Sequence, residues 1–218
     1  MLIEQFLREL QNNPASGLLH VVVFILAIAA AITIHEFAHA LVAYRLGDPT
    51  AKLAGRLTLN PAAHLDPVGT LALLLVGIGW GKPTPFDPFN LRNIKRDSAL
   101  ISVAGAASNF LLAISLSLPY LIAYYTGNLN PQLSTVYESL SMVIQINVLL
   151  GVFNLIPVHP LDGFKVLAGL LPRDWYRDFI ATERYGIFIL LFLIITGAIG
   201  KILFPVVSVI LTYLLPRL

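Results

Sequence analysis

The sequence predicts an all-α polytopic membrane protein: a three-helix core, a C-terminal helical hairpin, a re-entrant segment and a short extended edge in the loops. Three observations carry this. Of 218 residues, 57% are hydrophobic and 12% charged, about half the charge of a soluble domain, which is roughly 25%. The mean hydropathy is +0.79. Several apolar runs reach the ~20 residues that a helix needs to cross the hydrocarbon core. This composition excludes a disordered chain, a nucleic-acid binder and an ordinary soluble enzyme. The net charge of +2 argues for no anionic partner, and the absence of cysteine removes disulfides, thiolate metal sites and cysteine nucleophiles.

Each element has its own pattern. Residues 1–16 set Leu2, Phe6, Leu7 and Leu10 against Glu4, Arg8 and Glu9, which predicts an amphipathic helix lying on the membrane surface. His20–Tyr44 is an apolar run whose only acid is Glu36. It is too long for a signal peptide and reads as a retained span. Ala99–Tyr125 carries no charge, and Val136–Ile156 carries only Glu138. Tyr185–Gly200 and Ile202–Leu215 are shorter and read as a tight transmembrane hairpin within residues 184–215.

Val68–Trp80 is apolar over 13 residues and contains Gly69, Gly77 and Gly79. Basic residues flank it on both sides: Arg45, Lys52 and Arg56 before, Lys82, Arg92, Lys95 and Arg96 after. Both ends therefore belong on the cytoplasmic side, which a re-entrant hairpin satisfies better than a crossing. Thr126–Tyr137 has no Lys or Arg and belongs outside; Lys165–Arg184, with four basic residues, belongs inside. The expectation is five spans plus one re-entrant piece in a single domain, residues 1–218, with the first span ending in the cytoplasm and Lys201 alone opposing the bias. Leu57–Leu59 and the proline-alternating Lys82–Pro88 read as extended edges.

The chemistry lies inside the first span. His35-Glu36-Phe37-Ala38-His39 places two imidazoles one helical turn apart on one face, where both can bind one metal ion. Glu36 is offset by one residue, which suits a general base acting on a metal-activated water. Ionisable residues at this depth are costly and by default functional. A catalytic zinc takes a third protein ligand. The candidates are His20, His64, His159 and the aspartates. Among them Asp162 stands out, because it follows Asn154-Leu-Ile-Pro157-Val-His159-Pro160-Leu161, where prolines break the third span. Asp162 also reads as an N-cap for a helix over Gly163–Leu171; beside the histidine pair, ligation is favoured.

These motifs resemble the site-2 proteases, the intramembrane zinc metalloproteases. The likeness rests on His35–His39, on Asn154-x-x-Pro157 with Leu161-Asp162-Gly163, and on Gly105-Ala-Ala-Ser-Asn109. Asn60–Gly69, Gly79–Pro83 and Asn90–Arg92 are similar to the compact bacterial and archaeal branch without a PDZ domain. It covers residues 20–175. The resemblance implies a catalytic three-helix core and one Zn2+ ion held by His35, His39 and Asp162, with Glu36 activating water. It implies a lipid bilayer, transmembrane protein or peptide substrates cut in or near their spans, no nucleic acid, and a prokaryotic inner membrane with the site opening to the cytoplasm. The family usually has proline where this chain has His159. That residue is a fourth ligand, a donor behind the ligands, or a solvent-facing side chain. Asn109 and Asn154 are candidates for an oxyanion or substrate contact, or for helix–helix hydrogen bonds. His64 lines the mouth of the site or braces the re-entrant piece. Lys82–Phe89 would hold an unwound substrate by strand addition, or serve as an interfacial loop. The competing readings are a membrane metal-binding or transport protein, and a catalytically silent homologue. The Glu between the histidines favours hydrolysis, since an ion pathway has no need of that order.

Overall fold

The computed structural model describes residues 13–76 and 79–216. The expected N-terminal surface helix falls almost wholly on residues 1–12, outside the described residues. The described residues form nine α-helices: α1 (Pro14–Arg45), α2 (Thr50–Leu53), α3 (Pro67–Val76), α4 (Ile94–Tyr125), α5 (Ser134–Asn154), α6 (Asp162–Leu170), α7 (Arg173–Ala181), α8 (Gly186–Ile195) and α9 (Ala198–Leu214).

The two longest helices outrun their apolar cores because polar caps extend them. Asn13 and Asn93 accept hydrogen bonds from the Ser16 and Arg96 amides, and Pro14 starts α1. Each helix then has 32 residues, about 48 Å at 1.5 Å per residue, against a hydrocarbon core of about 30 Å. Helix α4 is the centre of the bundle and packs on α1, α5 and α6. Ala113 and Tyr120 of α4, Ile144 and Val148 of α5, and Leu203 and Val207 of α9 form the main apolar cluster. Leu111, Leu118 and Ile122 of α4 and Phe188, Phe192 and Ile195 of α8 stay exposed. That is a lipid-facing surface, and the chain is a multi-pass membrane protein.

Three helices are long and apolar enough to cross: α1, α4 and the stretch Pro131–Asn154 containing α5; a bent pair raises the count to four. Among the described residues, then, three or four of the expected five spans are long and apolar enough to cross. The C-terminal pieces also differ from the expected hairpin, because the chain turns by 76° there. Gly197, at φ +70, ends α8 after ten residues, about 15 Å of helix. The two pieces pass as a candidate span only when taken together, with this bend between them.

The re-entrant candidate folds back on itself. Helix α3 is ten residues long. A Cβ on Gly69 would lie 2.1 Å from the Trp80 carbonyl oxygen, so only glycine admits this return. Leu65 and Gly81 pair in an antiparallel bridge, and the Lys82 amide donates to the His64 carbonyl at 2.7 Å. The segment begins and ends at one place.

No strand forms among the described residues, so the expected β edge is only extended backbone. Its donors explain why. Pro83, Pro85 and Pro88 have no N–H, and the amides of Lys82, Thr84, Asp87 and Phe89 donate to His64, Glu36, Asp48 and the Asp87 side chain. Arg56 fastens this stretch from the other side. It donates to the carbonyls of Ala63, Lys82 and Pro83.

Candidate metal centre

His35 and His39 are buried on α1, their ring centroids 4.6 Å apart and nearly perpendicular. Space for them comes from α4. A Cβ on Gly105 would lie 2.4 Å from His39 Nε2 and 2.6 Å from His35 Cε1. One turn along the same face, Asn109 Oδ1 meets His35 Nδ1 at 2.7 Å, while the Ile101 carbonyl meets His39 Nδ1 at 2.7 Å. Both Nδ1 atoms face acceptors and carry the protons. Both Nε2 lone pairs are therefore free of protons.

They point at Asp162. Its Oδ2 lies 3.0 Å from His35 Nε2 and 3.1 Å from His39 Nε2. Asp162 is the first residue of α6, whose start makes no side-chain capping bond, so the capping alternative gives way to this contact. Gly163 permits the approach, since a Cβ there would meet the Leu155 carbonyl oxygen at 2.2 Å. Oδ2 is buried without a hydrogen-bond donor. Two lone pairs and a carboxylate oxygen thus converge with no proton between them, an arrangement that a cation relieves. Ligand atoms of a tetrahedral zinc stand about 3.3 Å apart, so the donor set fits that ion in kind and spacing. Among the described residues, His35, His39 and Asp162 are the group able to hold a metal ion.

A relative in Bacillus subtilis (strain 168), the candidate zinc metalloprotease YwhC, is 38% identical over 84% of this chain and 85% of its own length. The chain belongs to the M50 peptidase family. The model for peptidase family M50 matches residues 115–197, which include Asp162. Candidate zinc metalloproteases called Rip2 agree: that of Mycolicibacterium smegmatis is 31% identical over 86% of this chain and 73% of its own length, and that of Mycobacterium tuberculosis H37Rv is 26% identical over 91% and 77%. No solved structure matches. M50 membership makes the protein a zinc metalloprotease of the site-2 protease family, and the metal its centre fits is the one the family uses.

Around this M50 centre the other expected residues take different places. Glu36 is half-buried beside the ligands, and its Oε2 accepts the Thr84 amide at 2.7 Å, while the Thr84 hydroxyl donates to the Glu36 carbonyl at 3.0 Å. Asn109 has donated both amide hydrogens, to the Ala31 carbonyl and to Asn147 Oδ1. Asn147 in turn donates to the Val143 carbonyl. Asn154 donates to the Leu150 carbonyl of its own helix. His159 faces Glu183, with Nδ1 3.4 Å from Oε1, and packs against Gly186 at the start of α8. His64 is fully buried, its Nε2 2.8 Å from the Thr58 carbonyl, within the folded-back loop. Gly105 and Thr84 take part in ways the sequence does not specify, Gly105 by making room for the imidazoles and Thr84 by holding Glu36.

Proposed function

We propose that this zinc metalloprotease is an intramembrane endopeptidase, cutting peptide bonds in or near transmembrane segments of other proteins. The observation that carries the reading is Asp162 of α6 meeting both imidazoles of α1 beside Glu36. Glu36 lies eight residues before Tyr44, about 12 Å along the helix, which puts the chemistry below the headgroups. Basic residues at Arg45, Lys52 and Arg56 support a cytoplasmic opening and an inner-membrane location.

His35, His39 and Asp162 would hold the zinc, which supplies a Lewis acid for the peptide carbonyl and lowers the pKa of water. Glu36 takes the proton of the attacking water and delivers it to the leaving amine. Thr84 holds one carboxylate oxygen of Glu36 and leaves the other for that proton. The stretch around Thr84 lies against the base.

The test uses the full chain with zinc in a bilayer disc and a single-span substrate. Glu36→Gln keeps zinc and loses cleavage; Asp162→Ala loses both. Cleavage by Glu36→Gln at the parent rate removes Glu36 as the base. Metal movement into vesicles without new peptide ends establishes the transport reading instead.

A further inference from the structure

A cavity of about 460 Å³ lies between the extended stretch and helices α6 and α7. Thr84 and Phe86 line one side, Phe164 and Lys165 another, with Tyr176 and Glu183 across from them. Because Thr84 also holds Glu36, the cavity adjoins the base. Lys165 stands one helical turn beyond Asp162.

The charges in this wall are not equally engaged. Lys95 donates to the Leu171 carbonyl and lies 5.5 Å from the Tyr176 ring centroid. Glu183 faces His159. Lys165 Nζ lies 4.2 Å from the Phe86 ring centroid, and no carboxylate or carbonyl among the described residues accepts its hydrogens. Burial pulls this ammonium below the usual lysine range, against the opposing charges of Asp162 and Glu183. This half-buried ammonium has the Phe86 ring face beside it and its three donors uncommitted to protein acceptors at the cavity wall.

We propose that this cavity is a substrate subsite for an acidic side chain, with Lys165 as its anchor. The proposal rests on the endopeptidase reading and names the substrate feature that the enzyme selects. A peptide lying along the extended stretch passes Glu36 and the cavity in turn, so a carboxylate near the scissile bond reaches Lys165. Charge-assisted contacts of this kind are worth roughly tenfold in affinity. A lipid phosphate shares the chemistry, and the experiment separates the two.

The probe is a synthetic single-span peptide with Glu, Gln or Lys placed in turn at each position near the cut. Binding is measured to the zinc-loaded full-length Glu36→Gln protein, and cleavage with the parent. At one position Glu outbinds Gln by about tenfold. Lys165→Met brings the Glu-to-Gln ratio to one, and Lys165→Glu inverts the choice so that Lys is preferred. A purely structural contact with Phe86 would not invert a preference. Equal binding of the Glu and Gln peptides at every position overturns the proposal, whatever the cleavage result. Charge-selective binding without cleavage by the parent sinks the protease reading and keeps the subsite. A Lys165-dependent preference for phosphatidylglycerol over phosphatidylcholine discs, with no peptide preference, assigns the cavity to lipid and overturns it too.

Discussion

Asn109 Oδ1 accepts the Nδ1 proton of His35 at 2.7 Å, and this contact decides which imidazole nitrogen faces Asp162. The amide cannot flip without loss, because Nδ2 is anchored on the Ala31 carbonyl and on Asn147. Three helices thereby set the tautomer of one ligand. Asn109→Ala leaves a buried His35 N–H without its acceptor. Zinc affinity falls about 10- to 100-fold, the usual cost of losing a partner behind a metal ligand, read by competition with a chelating dye. Asn147→Ala has a smaller effect in the same direction.

Gly105→Ala puts a methyl group 2.4 Å from His39 Nε2. Helices α1 and α4 must separate or the imidazoles must turn, at about 1–3 kcal/mol. The expected outcome is a chain that keeps its helical circular dichroism and loses stoichiometric zinc by elemental analysis. Full zinc occupancy in this variant would show that the two helices adjust freely.

Thr84→Pro removes the amide that holds Glu36 while keeping extended backbone between Pro83 and Pro85. Zinc content stays at the parent level. Turnover falls by about tenfold, the worth of one hydrogen bond to a charged group. Thr84→Ser, which keeps amide and hydroxyl, retains parental turnover.

Asp48 anchors the far end of the same stretch. Its carboxylate accepts from the Thr50 amide and hydroxyl, the Asn90 side chain and the Asp87 amide. Burial pushes its pKa up, but these bonds outweigh burial and hold it below the ordinary carboxylate value. A depressed folded pKa contributes stability that is complete above the unfolded value, about 3.9, and is lost as pH falls through the folded one. Asp48→Asn therefore melts at lower temperature than the parent at neutral pH. The gap narrows only in acid below about pH 4, as detergent melting curves at several pH values would record.

The long spans were readable because apolar run length needs no partner: α1, α4 and α5 lie within a few residues of the runs that announce them, displaced only by their caps. The angle between the two C-terminal pieces was not readable for a related reason. Gly197 signals a break, and run length carries no angle, so the 76° turn was invisible. The extended stretch showed its prolines, but its N–H groups are consumed by His64, Glu36 and Asp48, and those lie at least eighteen positions earlier in the chain.

The chain alone established a helical membrane protein with His35, Glu36 and His39 on one turn, since a spacing of four is a local property of the α-helix. It favoured Asp162 as the third ligand and left open whether His159, three residues earlier, also reaches the metal. Only the packed structure separates them: the rotation of α6 turns Asp162 toward α1, while His159 meets Glu183. Likewise the parts played by Gly105, Asn147 and Lys165 depend on the side chain that another helix or loop brings against each.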